Sequence, residues 1–173
     1  MSALRLINET TATSVTTLNI TDVFSADFDI YKIAVNLGEI GTAAYINFRL
    51  INSSGSVVTA SNYDRAALQM NSDNPFGEGR STNISYLNYL ADVGATSNTG
   101  AGFVSYIFNP YSSSSYTFSI SQSSSVRPNH RSMKNIGVLK QTASMSGFQI
   151  LNTGSYSFSS LNVRTYGLRV DNG

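Results

Sequence analysis

The sequence predicts an all-β protein, folded as a single antiparallel β-sandwich of the jelly-roll type with about ten short strands. Apolar and polar residues alternate with a period of two in most segments, as is typical of half-buried strands. Turn-forming Gly, Pro, Asn, Asp and Ser residues separate these segments at fairly regular spacing, which favours a sandwich or jelly roll. Residues 1–173 contain no linker-like stretch or repeat, so one domain is expected.

The first 63 residues contain five predicted strands. In the third, Tyr31, Ile33 and Val35 share one face. Phe24 precedes that strand in a polar stretch and is expected to anchor a loop to the core. These five strands are residues 4–8, 15–20, 28–37, 44–51 and 57–63.

The next segment is ambiguous. Residues 64–71 have mild helical character, but they are too short and poorly capped to favour a helix over a strand. Residues 72–82 are rich in turn formers and are predicted to be a loop. A strand at 84–90 and a Gly/Ser/Asn/Thr loop at 94–100 follow.

A predicted hairpin forms the centre of the chain. Strands 103–108 and 116–120 flank the turn 109–115, which begins with Asn-Pro and continues with serines. The first strand is apolar on both faces, so it is expected to be central and covered on both sides. Phe108 is accordingly expected in the core, and Tyr111 at an exposed contact tip.

The C-terminal third begins with a predicted polar loop at 121–132, which carries Arg127, His130 and Arg131. The remaining strands are predicted at 134–142, 146–151 and 161–170.

Composition excludes several kinds of partner. Charged residues make up 12% of the chain and the net charge is +1, so no electrostatic field is expected to attract nucleic acid or an anionic membrane. The chain has no cysteine, which rules out disulfides and thiolate metal sites and favours synthesis in a reducing cytoplasm. Neither a signal peptide nor a membrane-spanning segment is expected.

Five short motifs resemble β-sandwich virion structural proteins of tailed phages, especially marine and cyanobacterial phages. They are Leu-Ile-Asn at 6–8, a Thr/Ala/Ser-rich stretch at 10–14, an aspartate-aromatic strand at 28–33, Phe-Asn-Pro within 106–110, and a closing Tyr-Gly strand at 163–168. The resemblance implies a capsid decoration, head-fibre or tail-associated module located in the virion. It carries over no catalytic residue.

Catalytic chemistry has little support in the sequence. His130 is the only histidine and lies between Arg127 and Arg131, whose charges disfavour its protonated form; an exposed loop residue is expected, with a partner contact as the alternative. Asp22, Asp27 and Asp29 contain the ligand atoms of a calcium site or a glycosidase pair, but solvated acids or partners of arginines are favoured. The chain is therefore expected not to be an enzyme and to need no cofactor.

The candidate partner contacts are Tyr111, Phe76, Arg127, His130 and Arg131. Phe76 suits either a sugar ring or a core or subunit contact. Four arginines in predicted strands also suit solvent or an interface, where Arg and Tyr are enriched. These arginines are Arg5, Arg49, Arg164 and Arg169.

The sequence thus favours an accessory virion protein that binds the capsid surface through many protein contacts. It is expected to form a homo-oligomer, with a trimer preferred, and to contact capsid or tail proteins. The alternative is a receptor- or carbohydrate-binding fibre module that recognises host surface glycan with the loops 72–82, 94–100 and 122–132.

Overall fold

The computed structural model describes residues 4–168, which contain twelve strands and no helix. Within that range there is accordingly no helix long and apolar enough to cross a membrane. In chain order the strands are β1 (Leu4–Ala12), β2 (Thr17–Ile20), β3 (Ile30–Leu37), β4 (Ala44–Asn52), β5 (Tyr63–Asn71), β6 (Gly77–Ile84), β7 (Leu87–Val93), β8 (Ala101–Phe108), β9 (Thr117–Val126), β10 (His130–Leu139), β11 (Met145–Asn152) and β12 (Leu161–Leu168).

The strands form two sheets of unequal width. The larger sheet has the order β1-β12-β3-β8-β9-β10-β5-β6, and the smaller has the order β2-β11-β4-β7. Neighbouring strands are antiparallel throughout. The predicted all-β antiparallel sandwich is confirmed, and the predicted central hairpin, β8–β9, lies in the middle of the larger sheet.

Several predicted loops are strands. The ambiguous segment 64–71 belongs to β5, and most of the predicted loop 72–82 forms β6. The predicted loop 121–132 is largely the ends of β9 and β10, which leaves a short turn at 127–129. These polar segments form strands because antiparallel neighbours satisfy their backbone hydrogen bonds, whatever their side chains prefer. Arg169 and the end of the last predicted strand lie outside the described residues.

A chain of five aromatic rings fills the core between the sheets. Phe24 packs edge-on against Tyr31, with 4.7 Å between ring centroids, and Phe48 stacks on Phe148 at 5.2 Å. Phe24 also meets Phe148 at 6.0 Å, and Phe28 joins at Tyr31. Phe24 is 3% exposed, so its predicted role as a loop anchor is confirmed.

The Tyr63 hydroxyl ties β5 of the larger sheet to β4 of the smaller. It accepts a hydrogen bond from the Leu50 backbone N–H at 3.0 Å and donates to the Val58 carbonyl at 3.1 Å. Burial raises the pKa of Tyr63 to about 12, against the smaller opposing effect of the Leu50 hydrogen bond. The hydroxyl is therefore held neutral at the contact between the sheets.

The smaller sheet approaches the larger one most closely at β7. Cα atoms of β7 come within 8 Å of those of β8, β9, β10 and β5, whereas facing sheets ordinarily pack about 10 Å apart. Small residues permit this approach: a Cβ atom on Gly137 of β10 would lie 2.7 Å from Leu87 Cδ2 of β7. The β9 residues that point toward β7 are also small or short, namely Thr117, Ser119, Ser121, Ser123 and Ser125, and all are buried.

The outward face of the central hairpin corrects the sequence prediction. Phe108 is half-buried on the outer face of the larger sheet, where its cross-strand partner Phe118 is 44% exposed. The predicted alternation of β9 is confirmed, but its hydroxyl side chains are the buried set. Phe108 was expected in the core because aromatic residues usually lie there; the alternation of β8 instead points Phe103 and Ile107 inward and Phe108 outward.

Substitution of two phenylalanines on β8 tests this orientation. Phe103 is 3% exposed on the inner face, so Phe103→Ala should lower the free energy of unfolding by about 3–5 kcal/mol. Phe108→Ala should cost only about 1–2 kcal/mol, since part of its ring already contacts water. Urea denaturation of both variants measures the difference, and equal losses would contradict the assigned faces.

Alkaline pH should weaken the contact made by Tyr63. Its pKa rises from 10.0 to about 12 on folding, so its stabilisation is complete below pH 10 and is lost as the pH rises toward 12. The loss is about 1.4 kcal/mol per pH unit in that window. Urea denaturation between pH 9 and 12 should show this component in the native chain and not in the matched control, Tyr63→Phe.

Candidate functional site

The outer face of the larger sheet carries a cluster of exposed apolar side chains. The smaller sheet covers the opposite face, so these side chains project away from the core. The exposed large hydrophobic residues on this face include Leu68, Met70, Tyr106, Phe118, Ile120 and Ile136. Contiguous exposed apolar surface of this kind is typical of interaction sites.

Strand register arranges the outward side chains in rows that cross the sheet. One row is almost entirely apolar and contains Val138, Phe118, Phe108, Ile30 and Leu168. The next row contains Arg80, Ala66, Ile136, Ile120, Tyr106 and Lys32. The row beyond it contains Glu78, Leu68, Lys134, Gln122 and Val104. The last row contains Met70, Ser132, Ser124, Gly102 and Asn36, and apart from Met70 it is small and polar.

These rows give the face an apolar end and a polar end. The apolar end lies toward the turn 109–116, and the polar end lies toward the turn 127–129. The charged side chains of this face lie mainly in the two middle rows. They are Lys32, Lys134 and the β6 pair Glu78 and Arg80.

Three adjoining hollows lie on the face between its apolar end and its polar end. A hollow of about 570 Å³ lies over β5, β6 and β10, and a second of about 530 Å³ lies over Phe108, Phe118 and Ile120. Ile136 lines both of them. A third of about 380 Å³ contains Lys32 and Lys134 and shares Ile120 with the second. The hollows share lining residues and therefore adjoin; together they make up the depression of the outer face.

Two of the basic residues predicted as partner contacts, Arg127 and Arg131, bind a buried aspartate within their own chain. Asp92 of β7 is fully buried, and its two carboxylate oxygens accept hydrogen bonds from Arg127 Nη1 at 2.5 Å and Arg131 Nη1 at 2.6 Å. The two arginines thereby fasten the β9–β10 turn to the smaller sheet. His130 stays exposed, and its Nε2 lies 2.9 Å from Ser124 Oγ.

Cations and aromatic rings extend this cluster across the edge of the sandwich. Arg127 lies over the Tyr45 ring, Tyr45 stacks on Tyr89 at 4.1 Å, and Arg65 lies over Tyr89 at 4.2 Å. Burial, followed by the charge of Asp92, raises the pKa of the Tyr45 hydroxyl. Burial likewise lowers the pKa of Arg65, whose interaction with Tyr89 opposes the shift.

The five predicted contact residues are divided between the two ends of the sandwich. Phe76, 78% exposed, precedes β6 near the turn 127–129, since Ser72 donates its N–H to the His130 carbonyl at 3.0 Å. Tyr111 lies at the opposite end, is 42% exposed, and accepts a hydrogen bond from Ser144 Oγ through its carbonyl. Their predicted role in partner contacts remains a prediction.

The loops predicted as a glycan-binding rim do lie at one end of the sandwich. Asn129 donates a hydrogen bond to Asp73, and a Cβ atom on Gly94 would lie 2.9 Å from the Val126 carbonyl oxygen. The rim is shorter than predicted, because much of it is strand. The polar end is thus built from turns that bind one another.

The aspartates considered as metal ligands do not converge. Asp27 accepts a hydrogen bond from Ser25 Oγ at 3.2 Å, and Asp22 has a left-handed backbone with φ of 58°. Within residues 4–168, His, Asp and Glu side chains form no group of three or more that suits a metal ion. Asp22, Asp27 and Asp29 therefore form no such group.

Sequence reasoning missed the outer face as a candidate site. One signal for it was present: β8 is apolar on both faces, which predicts a cover on each side. The structure supplies one cover, the smaller sheet. The second face, with Tyr106 and Phe108, is not covered by any of the residues that the structure describes.

Comparison with known proteins yields remote structural likenesses. The chain matches no family model and no curated protein sequence. An exo-inulinase from Aspergillus awamori superposes over 96% of this chain with 9% identity and a TM-score of 0.41, but the chain spans only 29% of that enzyme. A PL-14 alginate lyase from Aplysia kurodai superposes over 92% of this chain and 80% of its own, with 9% identity and a TM-score of 0.40. A CBM2 module of an evolved Dit protein from Lactobacillus casei BL23 phage J-1 covers 89% of this chain and 70% of its own, with 7% identity and a TM-score of 0.19.

These likenesses correct one expectation. The sequence was expected not to encode an enzyme, and that exclusion is contradicted because two of the similar structures are an exo-inulinase and an alginate lyase. The exclusion is withdrawn. With TM-scores below 0.5, the likenesses assign no activity to this chain.

Removal of the Asp92 charge tests the structural role of the arginine cluster. Asp92→Asn leaves Arg127 and Arg131 without their anion, so the free energy of unfolding should fall by about 2–4 kcal/mol, since the two guanidiniums are only partly exposed. Asp73→Asn, an exposed substitution near the same turn, should change it by less than about 0.5 kcal/mol. Chemical denaturation compares the two, and an unchanged Asp92→Asn variant would contradict the role.

Proposed function

We propose that this chain is an accessory structural protein of a phage virion. It binds the capsid surface through the outer face of its larger sheet and acts by multivalent protein–protein contacts. It is made in the host cytoplasm and resides in the virion. The observation that carries the proposal is the open apolar depression centred on Ile120 and Ile136.

The chemistry of this face favours a protein partner. Its exposed side chains are largely aliphatic, with Leu68 at 58% and Ile136 at 55% exposure, and the hollow beside Phe118 is lined mostly by apolar atoms. Aliphatic side chains gain free energy by leaving water and offer no directional bonds to a hydroxyl-rich sugar. A protein surface with apolar side chains is their natural complement.

The size of the face suits a specific interface. Eight strands about 4.8 Å apart, each about eight residues long, span about 900 Å². A stable protein interface buries about 800 Å² on each partner. Because paired strands hold the side chains in place, binding orders little backbone and the entropic cost is small.

The charges on the face indicate which chemical groups a complementary partner surface would carry. Lys32 and Lys134 line one hollow, and neither forms an ion pair with another residue of the described range. A capsid surface that presents apolar side chains beside an acidic residue would complement both the hollow and its lysines. Many identical copies on one shell would each make weak contacts, and the contacts together would give a high overall affinity.

The motifs at 6–8, 28–33, 106–110 and 163–168 support the virion assignment through their resemblance to tailed-phage proteins. The likeness to a phage Dit module is compatible with it, although its TM-score gives it no weight.

A second candidate function rests on the hollow between the lysines. Tyr106 and Gln122 join Lys32 and Lys134 there, so an aromatic ring, an amide and two ammonium groups surround about 380 Å³. This set suits an acidic sugar, with the ring packing on the pyranose and the lysines binding its carboxylate. The chain would then be a receptor-binding module of a tail or head fibre.

Binding to tail-less shells tests the proposed function. The purified native chain should cosediment with shells of the phage that carries this sequence and protect them from heat. Ile136→Glu places a charge in the apolar depression and should weaken binding about 10- to 100-fold, the equivalent of one buried aliphatic side chain. Asn36→Glu, a charge at the polar end of the same face, is the matched control and should bind nearly as the native chain does.

Three outcomes separate the hypotheses. Failure of the native chain to bind shells, or equal binding by Ile136→Glu, would overturn the capsid assignment. Adsorption to host cells that is blocked by an acidic oligosaccharide and lost in Lys134→Ala would instead support the fibre module. Circular dichroism confirms that each variant is folded.

A further inference from the structure

We propose that two copies of this chain pair along β6. The two strands run antiparallel, with Glu78 of each copy opposite the partner's Arg80. The pairing joins the two larger sheets into one continuous sheet of sixteen strands. This inference concerns the backbone edge of β6, whereas the proposed capsid contact uses the outward side chains of the sheet, Glu78 and Arg80 among them.

β6 is an edge strand that extends past the smaller sheet. It is hydrogen-bonded to β5 on one side and lies last in its sheet, whereas the smaller sheet ends at β7, over β9 and β10. The outer backbone edge of β6 therefore faces away from the sandwich. Such an edge is a ready template for another strand.

The features that commonly block edge pairing are weak on β6. Its eight residues contain no proline, and the residues on its inner side, Gly77, Gly79 and Ser81, are small. β6 has a register shift of its own between Ser81 and Ile84, but residues 77–81 pair regularly with β5. At the opposite edge, the register shift of β1 lies between Leu6 and Asn8, within its first half.

The charges at the two edges also differ. On β1, Glu9 binds Arg164 of its own sheet at 2.8 Å. Glu78 and Arg80, in contrast, form no ion pair with another residue within 4–168. Both β6 charges are exposed and remain available to a partner.

Charge selects one register for the pairing. If Glu78 lay opposite its own counterpart, two carboxylates would repel, and a register centred on Arg80 would oppose two guanidiniums. Centring the two-fold axis on Gly79 places Glu78 opposite the partner's Arg80 twice. Directly opposed unlike charges stabilise antiparallel strands, and like charges destabilise them.

The same register gives a neighbour to the most exposed large hydrophobic residue. Phe76 immediately precedes β6 and is 78% exposed. Continuing the register by one residue brings Phe76 opposite the partner's Thr82. Pairing therefore buries part of the Phe76 ring, which is largely exposed to solvent within its own chain.

An antiparallel pair relates two copies by a two-fold axis, so it closes as a dimer. This differs from the trimer that the sequence suggested. It would also place the two apolar outer faces side by side in one sheet.

Charge exchange across β6 tests the pairing. Light scattering after size exclusion should give the native chain the mass of two 18.6 kDa chains. Glu78→Arg and Arg80→Glu each convert two attractive pairs into two repulsive ones and should weaken dimerisation on the order of 30-fold. The double variant Glu78→Arg/Arg80→Glu restores both pairs and should dimerise as the native chain does. Glu39→Arg, the same charge change in the turn after β3, should have no effect.

The rescue distinguishes this register from general charge effects. Hydrogen exchange should also protect β6 amides at high protein concentration in the native and double variants, and not in the single variants. A native monomer, a three-chain mass, or single variants that dimerise normally would overturn the proposal. So would a double variant that stays monomeric while folded. Shell binding by a native chain that is monomeric would overturn the pairing and leave the proposed function intact, so the two failures are distinguishable.

Discussion

The close approach of β7 to the larger sheet determines how the rest of this protein is arranged. Gly137 and the inward serines of β9 leave space for Leu87, and larger side chains there would force the sheets apart. Since side chains alternate along a strand, small residues inside require the large ones to lie outside. Phe118 and Ile120 are therefore on the outer face because Ser119 and Ser121 are on the inner one.

The same approach gives the polar end its structural character. β7 carries Asp92 under the β9–β10 turn, where Arg127 and Arg131 neutralise it. A buried carboxylate needs such partners, because an isolated charge in the interior is costly. Arg127 and Arg131, at the β9–β10 turn, thus help to close the sandwich. Among the described residues, the apolar end has no comparable buried carboxylate, and it remains open to a partner.

The sequence was sufficient for the fold class and for most strands, because a period of two in segments such as 28–37 and 44–51 has one structural reading. It did not decide which face of β9 is buried, since that depends on a strand far along the chain. Nor did it identify β6, because Gly77 and Gly79 are usual in turns and pairing with β5 outweighs that preference. The ion pair of Arg127 was not foreseen for a similar reason: its partner Asp92 lies 35 residues away.

Both proposed contact surfaces follow from the unequal widths of the two sheets. Four strands shield one face of an eight-stranded sheet, so β6 lies beyond the cover. The outer face has no second layer, although β8 and β9 carry side chains suited to one. In α/β proteins a strand that is apolar on both faces is covered by helices of its own chain. Here the described residues supply none, so the face is open to the proposed capsid contact and the β6 edge to the proposed second copy.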